Sequence, residues 1–253
     1  MRQAPTAGST VTELFDRAFA ESPGRSYLAI LDFELVTDAE NSYLTYDMRR
    51  HWVVQQFAEF IAPLIDDNLE LIIKQRPLIR LQMLAYSQLW ECTGIQRLIY
   101  QLANIAGGQD YETNLFLKNS EKTYERYRRI RMKAHTSELK LEGFLDSVYS
   151  NQIRNAFSHS DFHIQDQSPL NWLILENFDP KHHAPIPSLE IDVWRELWSK
   201  TREFIVALFE NRFRCERSLA EALPYRVDIS DEWCTGPFNI SRNRNNHWQF
   251  VPA

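Results

Sequence analysis

Arg154 and His159, with four residues between them in the segment Arg154-Asn155-Ala156-Phe157-Ser158-His159, are of types that suit cleavage of RNA without a metal. In such a reaction a 2′-hydroxyl attacks its own phosphate. It needs a base, an acid for the leaving oxygen, and a cation for the charge that develops. An imidazole titrates near neutrality and serves as base or acid, each transfer contributing roughly 10²- to 10⁴-fold. A guanidinium stays charged and forks two donors onto phosphate oxygens. No metal or cofactor enters this scheme. One chain supplies one such pair, whereas in-line transfer is better served by two, so a homodimer apposing two copies across a two-fold axis is the mechanistic expectation.

The bare spacing does not single out these residues. Arg242 and His247 repeat it, and Arg129 and His135 repeat it with one extra residue. Helical context separates them. Leu141, Phe144, Leu145, Val148, Ile153, Ala156 and Phe157 form an apolar stripe, while Ser147, Asn151, Arg154, Asn155 and Ser158 form a polar one. The segment around Arg242 has no apolar stripe. On an ideal helix, residues five apart are about 140° out of phase, so Arg154 and His159 converge only if the helix loosens near Ser158. Asn155 shares a face with His159 and either supports the phosphate or the imidazole, or makes an ordinary helix hydrogen bond. The plain structural alternative is an Arg154 paired with a carboxylate and a His159 at a helix C-terminus.

Further candidates lie outside this segment. Arg126, Arg128, Arg129, Arg131 and Lys133, interleaved with Tyr124 and Tyr127, either guide RNA by charge and stacking or form a solvated helix face. Glu91 either orders the arginine from a preceding helix or belongs to an unrelated pair. His163, His182 and His183 lack the fixed ligand spacing of a metal site.

The elements that must position these groups read as mainly helical. A capping box at Ser9 to Glu13 opens a first helix that stops near Ser22-Pro23-Gly24. Residues 26–36 fit a strand or a helical turn. A second helix is expected over about 45–65, and a long one from Pro77 to Ala106, ended by Gly107-Gly108. A charged segment, 121–140, leads into the helix carrying Arg154. Trp172 to Leu175 is a possible short strand, helix resumes near a capping Ser188 and runs to Leu219, and the tail is polar and aromatic without clear period.

Composition bounds the class. With 253 residues, 44% hydrophobic and 13% aromatic, the chain can bury a substantial core. Thirty-four acidic against 28 basic residues give a net charge of -6, so any polyanion site must be a local patch. Seven glycines and no Gly-rich phosphate loop exclude a P-loop or dinucleotide fold. Three separated cysteines suggest neither a disulfide framework nor a zinc site. No signal segment and no run of roughly 18 apolar residues is present, so a cytoplasmic chain without membrane association is expected.

The stretch from Ile153 to Phe162 (IRNAFSHSDF) resembles the signature of HEPN-domain ribonucleases, in which an Arg, commonly followed by a polar residue such as Asn, precedes a His by four to six positions. The likeness spans about residues 77–219. It implies a HEPN-like helical bundle with short irregular or strand insertions. Residues 1–76, expected as an N-terminal helical extension packed on the core, and 220–253, expected as a non-helical C-terminal tail, have no counterpart in that family. The likeness implies, further, a homodimer that cuts single-stranded RNA without metal, in toxin–antitoxin or antiviral defence, with an antitoxin or other regulatory partner protein. A subset of that family carries a Tyr two residues after the His as a site of antitoxin modification. Here that position is Asp161, so control by that route is not expected. The alternative is a non-catalytic module of the same shape that binds nucleic acid, nucleotide or a partner protein.

Overall fold

The computed structural model describes residues 6–31, 35–38, 43–46, 75–112, 122–165, 172–177, 186–230 and 235–253. Helix α1, Ala7–Glu21, is capped by Thr6, whose hydroxyl accepts from the Ser9 backbone N–H at 3.2 Å. The cap thus lies three residues before the expected Ser9. Pro23 does not merely stop α1; it opens α2, Pro23–Leu31, because the first helical position needs no N–H donor.

The run expected as one helix from Pro77 divides into α3, Gln75–Glu91, and α4, Thr93–Ala106. Cys92 between them is extended, at φ −63° and ψ 107°. The Trp90 carbonyl beside the break accepts from Gln96 Nε2 at 2.7 Å, so the interruption leaves it paired. From Ile95 to Ala106 every residue of α4 is buried, as befits a helix enclosed on all sides. It packs against α1 and α2, and against α5, Thr123–Thr136. The expected glycine stop holds: Gly107 ends α4 and Gly108 takes φ +76°.

The helix expected to carry Arg154 is also two, α6, Leu141–Val148, and α7, Asn151–His159. Tyr149, extended at φ −103° and ψ 122°, makes the bend. The apolar stripe runs through it because each helix turns its own apolar face inward. The last helix, α8, Ile191–Glu221, packs on α1, α2 and α6. It begins three residues after Ser188, which belongs to a strand and caps nothing.

Three small antiparallel sheets complete the fold. Strands β1, Leu35–Asp38, and β2, Tyr43–Tyr46, form a hairpin. Thr45 and Tyr46, at the expected start of a helix, lie in β2, and residues 47–65 of that expected helix fall outside the described residues. Strands β3, Phe162–Gln165, β4, Trp172–Leu175, and β5, Ser188–Glu190, pair in chain order, with Leu173 and Leu175 buried. Strands β6, Tyr225–Ser230, β7, Thr235–Arg242, and β8, Trp248–Pro252, make of the C-terminal segment an ordered sheet. Val227, Phe238, Ile240, Trp248 and Phe250 from this sheet are buried in the common core. The architecture is mainly helical with small antiparallel sheets. Among the described residues, no helix is long and apolar enough to cross a membrane.

Candidate active site

Helix α7 is fixed at both ends. Ser150 caps it, accepting from the Ile153 N–H at 3.3 Å. The Ser150 N–H in turn donates to the Tyr86 hydroxyl at 3.1 Å, which donates to the Val148 carbonyl at 2.9 Å. A fully buried phenol on α3 therefore grips the α6–α7 link, and burial pushes its pKa up, keeping it a neutral donor. At the other end Ser160 turns left-handed at φ 60°. The Asp161 N–H closes back onto the Ala156 carbonyl at 2.8 Å. This closure keeps α7 regular through His159, so the loosening expected near Ser158 does not occur.

The back of α7 is apolar. Ile153, Ala156 and Phe157 are buried, and the Phe157 ring lies edge-on to Trp194 at 4.9 Å, Phe162 at 5.4 Å and Tyr86 at 5.9 Å. The front is polar and connected. Arg154 Nη1 donates to Glu91 Oε1 at 2.7 Å and Arg154 Nη2 to Asn151 Oδ1 at 2.7 Å. Ser158 Oγ donates to the same Glu91 oxygen at 2.7 Å, and the Ser87 and Ser158 hydroxyls are 2.5 Å apart. A carboxylate only accepts, so the Ser158 proton points to Glu91 and Ser87 donates to Ser158. Arg154 is 11% exposed, with its Nε unpartnered among the described residues. Beside it, burial raises the Tyr149 phenol to about 12, with Arg154 partly opposing that rise.

Glu91 thus orders Arg154 from the preceding helix, one of the two readings its sequence position allowed. A guanidinium buried this far and stripped of its carboxylate is costly, by several kcal/mol in a fully buried pair. Because Glu91 is one-third exposed, Glu91→Ala is expected to cost about 1–3 kcal/mol in urea unfolding. Glu91→Gln, which still offers an acceptor to Arg154 and Ser158, should cost less.

The other candidate residues lie as follows. His159 is exposed and Asn155 half-buried, and neither side chain makes a hydrogen bond among the described residues. No hydrogen bond joins Arg154 to His159, which an unbroken α7 holds about 140° apart. Within one chain the structure gathers Arg154 with Glu91, Asn151, Ser158 and Ser87, and leaves His159 at the exposed end of the same helix. Asn151, not Asn155, supports the arginine. Its signal was present in the sequence, since Asn151 and Ser158 stand three before and four after Arg154, and Ser87 four before Glu91.

The basic cluster on α5 is not one basic face. At 100° per residue its members wrap around the helix. Arg126 is a correction to the RNA-guiding reading: it is 9% exposed, and its Nη1 donates to Thr93 Oγ1 at 3.0 Å and Gln96 Oε1 at 3.3 Å. Arg129 lies over the Tyr100 ring at 5.2 Å and 3.8 Å from Glu112, and Lys133 lies 5.7 Å from the same ring. Arg131 pairs with Asp146 at 2.5 Å, Arg128 is exposed, and Tyr127 is buried.

The repeated Arg–His spacings resolve into other structures. Arg242 ends β7, lies 4.2 Å over Trp248 and donates to Asn246 in the following turn. His135 pairs with Glu142 at 2.9 Å. His163 pairs with Glu176 at 2.8 Å, while His182 and His183 lie outside the described residues. Among the described residues, no three His, Cys, Asp or Glu side chains group as metal ligands. No known family, curated protein or solved structure matches this chain. The resemblance to HEPN ribonucleases therefore rests on the sequence from Ile153 to Phe162 alone.

Proposed function

We propose that this chain is a metal-independent endoribonuclease of HEPN type, acting on single-stranded RNA by 2′-hydroxyl attack. The observation that supports it is the arrangement of Arg154: a cation only 11% exposed, held in orientation on the polar face of α7 by Glu91 and Asn151. A guanidinium oriented in advance can stabilise charge developing on a phosphate. His159, exposed on the same helix, is the acid–base group. It takes the 2′-hydroxyl proton as the 2′-oxygen bonds to phosphorus, and a protonated imidazole gives a proton to the departing 5′-oxygen. Because α7 holds Arg154 and His159 apart in one chain, the two roles fit a homodimer in which the His159 of each copy approaches the Arg154 of the other. A cytoplasmic toxin or antiviral effector, restrained by an antitoxin or other regulatory partner, is the setting that the resemblance favours.

The same separation of Arg154 from His159 favours the second reading, a non-catalytic module binding nucleic acid, nucleotide or protein. The products distinguish the two. A ribonuclease of this kind leaves 2′,3′-cyclic phosphate and 5′-hydroxyl ends and does so in excess chelator, whereas RNA left intact by purified protein favours the binding module.

A further inference from the structure

The exposed side of α3 runs through Pro77, Arg80, Leu84 and Gln88 to Glu91. At 100° per residue these positions fall within about 80° of one another, so they form one ridge. The ridge leads directly into the candidate site, because Ser87 on its flank and Glu91 at its end bond Ser158 and Arg154. Its charge is one-sided. The only acid of α3 is Glu91, already paired, against Arg76 and Arg80. Arg80 is exposed and makes no hydrogen bond or ion pair among the described residues. On α5, by contrast, Arg129, Arg131 and His135 each face a carboxylate, those of Glu112, Asp146 and Glu142. In a chain of net charge -6, Arg80 is positive charge without a counter-charge among the described residues, on the ridge that ends at the site. Leu84, next on the ridge, is 47% exposed.

We propose that this ridge of α3 binds the RNA strand flanking the scissile phosphate, with Arg80 on a backbone phosphate, Leu84 against a base or ribose, and Gln88 at a base edge. The inference rests on the ribonuclease reading for where the scissile phosphate lies. From Arg80 to Glu91 the helix rises about 16 Å, a length that a few nucleotides cover. Arg80 contributes affinity independent of sequence. The Gln88 amide, with a donor and an acceptor, is the group on the ridge able to discriminate bases.

The test uses the full chain and fluorescein-labelled 2′-O-methyl oligouridylates of two and six nucleotides, which lack the attacking hydroxyl and are not cut. Anisotropy should show the hexamer bound more tightly than the dimer. Arg80→Ala should weaken hexamer binding about tenfold and lower the slope of log affinity against log salt by about 0.7, the loss of one single-strand phosphate contact. Arg80→Lys should retain most of both. Hexamer binding by Arg80→Ala at wild-type affinity and slope overturns the proposal. So does a change of assembly mass in Arg80→Ala or Leu84→Ala at unaltered RNA affinity, which would make the ridge a protein interface. Failure of the ribonuclease reading is seen elsewhere, as cleavable RNA left intact by wild-type protein.

Discussion

On the proposed ribonuclease reading, Arg154→Ala and His159→Ala should each abolish RNA cleavage while leaving the fold in place. Removing a preorganised cation from a developing phosphorane charge costs about 10²- to 10³-fold. Removing the acid–base group costs about 10²- to 10⁴-fold. Neither change should unfold the chain. His159 is exposed, and without Arg154 the carboxylate of Glu91 keeps Ser158 and its contact with water. Arg154→Lys should fall between, because it preserves charge but loses the fork that meets Glu91 and Asn151 together. Single-turnover cleavage of end-labelled RNA, alongside circular dichroism, measures both quantities. Cleavage at the wild-type rate by either alanine variant removes that residue from the mechanism.

Phe157→Ala is expected to have the largest effect on stability. The ring is 6% exposed and meets Tyr86 of α3, Trp194 of α8 and Phe162 of β3, so it joins the site helix to three other elements. Truncating a buried phenylalanine costs about 3–5 kcal/mol, as lost transfer energy and residual cavity. The shift in denaturant midpoint reads this directly. A loss under about 1 kcal/mol would mean that α7 does not depend on this anchor. Activity should fall with stability, since α7 carries Arg154.

What the sequence made legible was the alternation of apolar and polar faces. It located α1, α3, α6 with α7, and α8, because each buries one stripe, and α4, enclosed on all sides, as the continuation of α3. The interruptions at Cys92 and Tyr149 were not legible. Each spans one or two residues, and the apolar period resumes in phase on the far side; only tertiary partners such as Gln96 and Tyr86 stabilise the bend. The C-terminal sheet was hidden for a related reason. Strands β7 and β8 each bury only two large apolar side chains, Phe238 with Ile240 and Trp248 with Phe250, too few to mark a period of two. Ser188 looked like a helix cap because hydroxyl residues favour that position, but strand pairing with Ile174 takes it instead. At the site, Arg154 and Glu91 were readable as partners of opposite charge. Asn151, three residues before Arg154, had the spacing to meet it, which Asn155, one residue after, lacks.

The brevity of α7 has a thermodynamic meaning. Nine residues are fewer than the roughly 12–15 that an isolated helix needs to persist in water. Arg154 and His159 thus share a helix only while α3 and α8 hold it, with Ser150 and Ser160 closing its ends. A partly opened molecule has no route to a weakened version of this site. If the proposed ribonuclease reading holds, activity and global folding should disappear together on denaturation, making cleavage a faithful gauge of the native population.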